Sequence, residues 1–467
     1  MAPTEPLIFV LHGARGDLAK RMVLPALATL QRRKLLPEKW ALLGTGRTPI
    51  SSHDFDELLR DAVEEFGDDE AAAGVPELTK HTAYCGDVSE DDSADELPGE
   101  LDRLTEVLGG DVTVIHYLAV PPSSFAPITR ALKKAGLTDG IRIVYEKPYG
   151  TSPETFRELD AIVHDAFDEE QVFRIDHFLG KEATQNLHVL RFANELFGGI
   201  WNRRHVEQVQ IDVPETLDVA QRAEFYDATG AALDMLVTHL FQVAAEVAME
   251  PPHRLDAANL GKAREDVITH FRPLDPATDV VLGQFEGYRD IDDVPDDSTT
   301  DTFVAARLWV DTPRWDGVPF LLRTGKRMGG SAQQVTLVLR TPDELFGSPV
   351  GPNRVVVSLA GSGELKVTTT VKKPGAFLEL GTGTADLALA DVEPGESLPP
   401  YAGLLEDVLV GDRTLFTTPA GLEAAWIAFA PLLGDERPTP EPYAVGSWGP
   451  ESADRLAEPH GWVLGGD

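Results

Sequence analysis

Short apolar runs alternate with helical patterns over the first 175 residues. The run at residues 7–12 is almost continuously apolar, as in a strand covered on both faces of a parallel sheet. A glycine turn follows it, and apolar side chains then recur at helical spacing over residues 19–30. Further strand-like runs occupy residues 40–43, 81–84, 112–118, 141–145 and 172–175. The repeated βα units predict a doubly wound, Rossmann-like parallel sheet.

The pattern changes after residue 175. Helical patterns at 183–197 and 231–249 flank a run at 206–213, whose Glu/Val/Gln alternation predicts a strand with one solvent-facing side. Later strand-like runs have no helices between them: residues 280–285, 303–310, 320–323, 335–339, 355–359 and 365–371. They predict a large, mostly antiparallel sheet, followed by helical patterns at 402–410 and 422–433. The fold class is therefore α/β plus α+β, with domains at 1–175 and 176–467.

Composition narrows the functional classes. The 467 residues carry a formal net charge of −36, which argues against nucleic acid or an anionic membrane as a partner because the field of the chain repels polyanions. The single cysteine, Cys85, excludes an internal disulfide framework and suits a reducing compartment. No apolar stretch reaches the roughly 18 residues of a membrane span, so we expect a cytoplasmic protein. The acidic residues 87–100 are predicted to form a solvated loop or helix edge.

Two features point to a dinucleotide. Strand, glycine turn and helix together offer backbone N–H groups and a positive helix end to a diphosphate, and the turn here consists of Gly13, Ala14, Arg15, Gly16, Asp17 and Leu18. Arg47 follows the second strand, where an acid usually binds the ribose hydroxyl and an arginine can hold a 2′-phosphate. Arg47 therefore favours NADP. The alternatives are a tight turn without a ligand and a surface arginine.

Polar groups cluster at the ends of the later strands. Pro121 and Pro122 stop the fourth strand at the edge where ligands bind, and Lys147 ends the fifth, next to a proline whose peptide bond is a candidate for the cis form. The stretch Arg-Ile-Asp-His-Phe-Leu-Gly-Lys-Glu at 174–182 then brings together a carboxylate, an imidazole and an ammonium group. We interpret it as part of a substrate site, and the alternative is a charged loop that caps the next helix.

These segments resemble the glucose-6-phosphate dehydrogenase family over nearly the full chain. The RIDHFLGKE stretch, with Gln-Asn at 185–186 and Leu-Arg-Phe-Ala-Asn at 190–194, is the most specific part. Other matching segments are residues 13–18, 44–47, 119–122, 146–150, 234–239, 248–252, 314–320, 323–326, 401–416 and 446–450.

The resemblance implies oxidation of glucose 6-phosphate at C1 to the lactone in the oxidative pentose phosphate pathway, with NADP as hydride acceptor and NAD as a weaker alternative. His239 occupies the family position of the base. A histidine suits this role because its neutral form can accept the C1 hydroxyl proton near neutral pH. Asp176 matches its carboxylate partner, which would stabilise the imidazolium that forms.

Other matched positions suggest substrate and cofactor contacts. Pro121 and Lys147 match cofactor-binding positions. If the segment after Asp176 is helical, His177 and Lys181 share a face and can bind the phosphate together. The positions that match ligands of sugar hydroxyls are Lys147, Glu215, Asp234 and Lys326. For each, the alternative is a salt bridge or a helix cap.

The departures from the family pattern concentrate at the phosphate site. Phe178, Met22 and Ser331 stand where the family commonly has a tyrosine, a lysine and a basic residue. Charge-assisted hydrogen bonds contribute about 1.5–3 kcal/mol each, so phosphate binding weakens unless other cations compensate. The candidates for compensation are Arg15, Arg21 and Arg327, of which Arg15 is alternatively a ligand of the cofactor diphosphate.

Three functional hypotheses follow. The first is an NADP-dependent dehydrogenase of glucose 6-phosphate, and the second is a related C1 dehydrogenase acting on another hexose or hexose phosphate. The third, from a different class, is an inactive dehydrogenase-like regulatory or assembly protein. The resemblance further implies a homodimer or homotetramer formed through the large sheet. Hydride transfer requires no metal ion and the histidines show no ligand spacing, so no metal site is predicted.

Overall fold

The computed structural model describes residues 3–86, 96–219, 222–342, 351–361, 363–388 and 397–466. Residues 87–95 of the acidic stretch therefore lie outside the described residues. The chain divides into two compact units. The first contains Met1–Gly180, Leu255–Gly261 and Leu398–Pro419, and the second contains Lys181–Arg254, Lys262–Ser397 and Ala420–Asp467.

The sheet of the first unit has the strand order β3-β2-β1-β4-β5-β6, with every pair parallel. This order confirms the predicted Rossmann-like sheet. Every residue of the first strand is buried, as its apolar run predicted. The strands are β1 (Leu7–His12), β2 (Trp40–Gly46), β3 (Thr82–Gly86), β4 (Thr113–Leu118), β5 (Arg142–Tyr145) and β6 (Val172–Arg174). The helices between them are α1 (Leu24–Arg32), α2 (Ser52–Phe66), α3 (Asp69–Leu78), α4 (Glu96–Leu108), α5 (Phe125–Lys134) and α6 (Pro153–Ala166).

The sheet of the second unit has nine strands in the described residues, in the order β14-β13-β12-β11-β7-β10-β9-β8-β15. They are β7 (Val206–Pro214), β8 (Val280–Phe285), β9 (Phe303–Trp309), β10 (Pro319–Gly325), β11 (Gln334–Leu339), β12 (Arg354–Ser358), β13 (Glu364–Lys372), β14 (Leu380–Ala388) and β15 (Glu441–Tyr443). The pairs β7/β10 and β8/β15 are parallel and the others are antiparallel. The prediction of a mostly antiparallel sheet is confirmed.

The later helices are α7 (Glu182–Phe192), α8 (Glu195–Ile200), α9 (Ala223–Asp227), α10 (Phe241–Ala248), α11 (Ala257–Ile268), α12 (Pro276–Asp279), α13 (Pro400–Val410) and α14 (Pro419–Phe429). The helix predicted at 183–197 is thus two helices that meet at Asn194. Two π-helical segments, Ala19–Val23 and Ala232–Leu240, directly precede α1 and α10. Short 3₁₀ turns occupy Pro122–Ser124, Glu169–Gln171, Tyr288–Asp290, Ala430–Leu433 and Glu451–Leu456. Among all the helices of the described ranges, none is both long and apolar enough to cross a membrane.

The prediction that β7 has a solvent-facing side is wrong. Gln208, Gln210 and Asp212 are all buried, because residues near the C-terminus cover this face. The Gln210 amide donates to the carbonyl of Gly461 at 2.8 Å, and the Asp212 carboxylate accepts from Arg323 at 2.6 Å. The polar positions of β7 therefore form a buried hydrogen-bonded layer.

Helix α13 belongs to the first unit although it lies more than 200 residues beyond β6 in sequence. Its apolar residues, including Leu404 and Leu405, join the core that contains β1 and α1. The Arg142 guanidinium donates to the carbonyls of Val408 and Leu409, at 3.0 and 2.7 Å, at the end of the helix. A late segment of the chain therefore completes the core around the parallel sheet.

Candidate active site

The glycine turn lies at the carboxyl edge of the parallel sheet, directly after β1. Gly13 has φ +73°, and a Cβ there would lie 2.6 Å from the carbonyl oxygen of Ala119, which follows β4. The backbone N–H of Ala14 donates to the carbonyl of Thr45 on β2 at 3.0 Å. The turn is therefore held close to both neighbouring strands, and a side chain at position 13 would push it away.

The predicted cofactor residues surround this turn. Arg15 and Arg47 are exposed and follow β1 and β2, two adjacent strands in which His12 pairs with Thr45. Exposed guanidinium groups beside a glycine turn fit the phosphates of a dinucleotide. Asp17 forms a salt bridge with Arg21 at 2.6 Å, which offsets its repulsion of an anion. Leu18 is half-buried next to the π-helical start of the first helix, and Pro121 is exposed after β4.

A buried histidine pair, which was not predicted, links β1 and β4. His12 Nε2 is 3.0 Å from His116 Nδ1, and His12 Nδ1 is 3.3 Å from the Thr45 hydroxyl. Both imidazoles are fully buried. Burial, and secondarily the nearby His12, holds the pKa of His116 well below its ordinary value.

Lys147 is positioned by a buried network at the end of β5. The Lys147-Pro148 bond is cis, as predicted. The preceding Glu146 is buried, and its two carboxylate oxygens contact the hydroxyls of Tyr117 and, at 3.5 Å, Tyr401. Burial raises the pKa of Glu146 to about 7, although the Tyr117 hydrogen bond and the Lys147 charge oppose the rise. The network fixes the backbone from which Lys147 projects.

Arg174, the first residue of the signature stretch, has a structural role. Its guanidinium is buried and contacts the carboxylates of Asp160 and Glu169 at 3.1 and 2.9 Å. It also lies 4.8 Å from the centroid of the Tyr149 ring. These contacts anchor β6, from which the next residues of the stretch extend.

Asp176 and His177 follow β6 in the first unit. Asp176 is buried, and its Oδ1 accepts the backbone N–H of Phe178 at 2.9 Å, which orients the carboxylate. The His177 ring stacks on Tyr401 with 6.2 Å between centroids. Residues 177–180 form a turn and α7 begins at Glu182, so the segment after Asp176 is not the helix on which a shared face for His177 and Lys181 depended.

Lys181 lies in the second unit and contacts Gln333, a residue that the sequence pattern did not reveal. Lys181 Nζ donates to the Gln333 side-chain oxygen at 2.7 Å.

Among the residues that depart from the family pattern at the phosphate site, Ser331 is exposed, as is Met22 in the first unit. Two of the three cations expected to compensate for the lost phosphate ligands are already paired: Arg21 with Asp17, and Arg327 with Asp218.

Glu215 and Lys326 meet at the ends of two parallel strands. Pro214 of β7 pairs with Gly325 of β10, so the next residue of each strand projects from the same edge. Lys326 Nζ lies 2.6 Å from both carboxylate oxygens of Glu215 and 5.4 Å from the centroid of the Tyr226 ring.

Tyr226 is a further member of this group that the sequence did not reveal. Its pKa is raised well above the ordinary value, first by burial and then by carboxylates that include Asp301, Asp234 and Glu215. The structure thus places Lys326, paired with Glu215, beside a buried phenol whose pKa is also raised by the charge of Asp234.

Asp234 and His239 lie on the π-helical segment Ala232–Leu240, and the His239 side chain is fully buried. Residues five apart would be separated by about 140° on an α-helix. The i to i+5 hydrogen bonding of a π-helix brings them close to one face. Both predicted residues therefore project from the same side of this segment.

Asp301 fixes the start of the π-helical segment. The backbone N–H of Ala232 donates to Asp301 Oδ2 at 2.7 Å. Gly230 has φ +71°, and a Cβ there would lie 2.4 Å from Asp301 Oδ1. A glycine two residues before Ala232 is thus required by both its conformation and this close approach.

A buried ionic cluster fixes α10, which continues from the π-helical segment. The Glu246 carboxylate accepts from Arg264 Nε at 2.5 Å and contacts His188 Nε2, so α10 is joined to α11 and α7. Burial raises the pKa of Glu246, but the charges of Arg264 and His188 outweigh this effect and lower it to about 2.

The chain matches two family models that together span nearly its full length. Residues 10–186 match the glucose-6-phosphate dehydrogenase NAD binding domain, and residues 188–463 match the C-terminal domain of the same family. Glucose-6-phosphate 1-dehydrogenase of Aggregatibacter actinomycetemcomitans is 34% identical, with 98% of this chain and 97% of the relative covered. Glucose-6-phosphate 1-dehydrogenase 2 of Mycobacterium bovis is 36% identical, with 96% and 92% covered.

Solved structures agree with these matches. The crystal structure of glucose-6-phosphate 1-dehydrogenase from Mycobacterium avium has a TM-score of 0.87 and 33% identity, with 98% of this chain and 99% of that chain covered. A glucose-6-phosphate dehydrogenase in complex with its substrate glucose-6-phosphate has a TM-score of 0.91 and 28% identity, with 99% of each chain covered. The predicted resemblance and fold class are confirmed. The chain therefore belongs to the glucose-6-phosphate dehydrogenase family.

Proposed function

We propose that this chain oxidises C1 of glucose 6-phosphate to the lactone, with NADP as the hydride acceptor. The observation that carries the proposal is the family match over both domains. It is supported by the group of Glu215, Asp234, Lys326 and Tyr226 in the second unit, which offers paired donors and acceptors to a polyhydroxylated ligand.

His239 is the proposed base. Its imidazole accepts the proton of the C1 hydroxyl as hydride leaves the same carbon, and Asp176 stabilises the resulting imidazolium at the other ring nitrogen. Full burial of His239 on a helix anchored at both ends limits its motion. The Asp176 carboxylate is oriented by the Phe178 N–H.

The sugar hydroxyls are assigned to Glu215, Lys326, Asp234 and Lys147. The Glu215 carboxylate offsets the charge of Lys326, so the pair presents hydrogen-bonding groups with little net charge. This suits a neutral sugar ring. Tyr226 is added to this group because its ring centroid lies 5.4 Å from Lys326 Nζ.

His177 and Lys181 are the proposed phosphate ligands, with Gln333 holding the Lys181 ammonium. Since Arg21 and Arg327 are already paired, the described residues offer fewer cations here than the family pattern provides. This favours a second candidate, a C1 dehydrogenase of another hexose. The relative kcat/KM for glucose 6-phosphate and free glucose decides between them: a higher value for glucose would reject the first.

The cofactor is assigned to the glycine turn, Arg15 and Arg47, together with Pro121 and Lys147. When bound, the nicotinamide cofactor supplies the hydride acceptor. Arg47 is proposed to hold the 2′-phosphate and Arg15 the diphosphate. In a calorimetric titration Arg47→Ala should weaken NADP binding far more than NAD binding, and equal losses would contradict the assignment of the 2′-phosphate.

We also propose a homodimer or homotetramer in the cytoplasm. The outer strands β13 and β14 support an interface, because they leave Val371 and Leu387 exposed at about half of their surface. Sedimentation velocity of the full chain tests the assembly. A concentration-independent monomer would reject it.

His239→Asn tests the reaction assignment. NADPH formation should be lost, while the circular dichroism spectrum and the Kd for glucose 6-phosphate stay close to those of the native chain. His53→Asn, at an exposed position on α2, is the matched control and should keep full activity. Unchanged turnover of His239→Asn would reject this base, and with it the catalytic role of Asp176.

A further inference from the structure

A basic pocket lies in the second unit, formed by residues that have no role in the proposed reaction. It is an open cavity of about 450 Å³ where α8 leads into β7, next to the loop between β9 and β10. The lining side chains with polar or charged groups are Asn202, Arg203, Arg204, His205, Glu250 and Arg314.

Backbone hydrogen bonds hold the loop that forms this pocket. The N–H of Arg203 donates to the carbonyl of Arg314 at 2.8 Å, and the N–H of Arg204 donates to the Asn202 side-chain oxygen at 3.0 Å. Arg340 donates from its N–H to the His205 carbonyl at 2.7 Å and from its Nε to the Arg203 carbonyl at 3.0 Å. Because each of these loop residues is tied down, the pocket is preformed.

The pocket has more positive than negative charge. Arg314 is paired with Glu250, and Arg203 with Asp316, at 2.6 Å in both cases. Within the described part of the chain, the exposed side chain of Arg204 has no hydrogen bond or ion pair, and the same holds for His205. The Arg204 charge is therefore available to a ligand.

This surplus contrasts with the rest of the protein. With a net charge of −36, the long-range field of the chain repels anions, so an anion binds only where local cations outweigh that field. A guanidinium group can donate two parallel hydrogen bonds to the oxygens of one phosphate. Ion pairs hold the Arg203 and Arg314 side chains, and both line the pocket together with Arg204, whose charge is not paired. The cavity volume falls within the range of small-molecule sites.

We propose that this pocket binds a compact polyanion with at least two linked phosphate groups. A cavity of this size exceeds what a single phosphate ion needs, and the cations are spread over two loops, Asn202–His205 and Pro313–Arg314. Inorganic pyrophosphate and the phosphate chain of a nucleotide share this chemistry.

Calorimetric titration of the full chain with pyrophosphate tests the site. The titration is done with saturating glucose 6-phosphate and NADPH, so that the proposed substrate and cofactor sites are occupied. Arg204→Glu should weaken pyrophosphate binding at least about tenfold, since it removes one charge-assisted contact and adds repulsion. Arg32→Glu, which makes the same charge change at the exposed end of α1 in the first unit, should leave the Kd within about twofold.

The outcomes separate this site from the proposed active site. Lys181→Ala should not change the Kd for pyrophosphate, and a loss of binding in that variant would overturn the inference. It would also be overturned by equal weakening in Arg204→Glu and Arg32→Glu, or by no binding to the native chain. A parallel titration with ATP identifies the source: tighter binding than pyrophosphate supports a nucleotide, and weaker binding supports an inorganic ligand.

Discussion

Replacing Glu246 with glutamine tests how strongly the second unit depends on its buried ionic cluster. The amide preserves the shape of the side chain but removes the anion that the buried Arg264 contacts at 2.5 Å. Removing one partner of a buried ion pair costs about 3–5 kcal/mol. The lowering of the Glu246 pKa from 4.5 to about 2 corresponds to about 3 kcal/mol, in the same range.

Tryptophan fluorescence during guanidinium unfolding measures this loss close to the perturbation. The indole N–H groups of Trp201 and Trp315 donate to the carbonyls of Val247 and Ala248, both at 2.8 Å, so these rings report on α10. We expect Glu246→Gln to lower the free energy of unfolding by about 3 kcal/mol at pH 7. Asp266→Asn, which breaks an exposed ion pair on the neighbouring α11, is the control and should leave the transition unchanged.

The pH dependence provides a second criterion. Because the folded pKa of Glu246 lies below its ordinary value, the stabilisation is fully present above pH 4.5 and is lost as the pH falls towards 2. The difference between native chain and variant should thus be constant from pH 6 to 8 and shrink below 4.5. A loss under about 1 kcal/mol at pH 7, or a difference that grows on acidification, would refute the assigned strength of the cluster.

Three further variants test the site. Gly230→Ala should lower kcat, because φ is +71° and the new methyl group would press on Asp301 at the start of the helix that carries the proposed base; steady-state kinetics with unchanged kcat would contradict this. Tyr226→Phe should raise KM for glucose 6-phosphate with little change in kcat, and an unchanged KM would remove Tyr226 from the sugar site. His116→Phe should reduce the loss in free energy of unfolding that the native chain shows as the pH falls from 6.5 to 5.5. Burial lowers the folded pKa of His116, so the unfolded chain binds the proton first as the pH falls. An equal slope of the unfolding midpoint in both proteins would argue against this coupling.

Local pattern predicted the elements of the fold better than their surroundings. The apolar run of β1 identified a strand buried on both faces, because that burial requires apolar residues at every position. The alternation of polar and apolar residues in β7 wrongly predicted a solvent-facing side, since the polar residues are covered by a segment about 250 residues later. Strand β14 was missed because its glycines and alanines have low strand propensity, and it is held by pairing with β13.

The candidate site likewise combines residues that the local sequence indicated with residues that it did not. Family motifs indicated Asp176, His239 and the other matched residues, but Tyr226, Gln333 and Asp301 become visible only when distant segments are brought together. A local signal existed for the start of the helix that carries the proposed base: a glycine directly before a helical pattern often marks a backbone with positive φ. No such signal reveals a contact between Lys181 and a residue 152 positions away.

In the π-helical segment Ala232–Leu240, the angle between successive side chains about the helix axis differs from that of an α-helix. If the same residues were wound as an α-helix, the interval of five residues would place the two side chains about 140° apart, without changing the chemical identity of either. The π-helical winding therefore matters to the proposed reaction as much as the carboxylate and imidazole that it aligns. A variant that keeps both side chains and this interval but winds the segment as an α-helix should lose the reaction before it loses the fold.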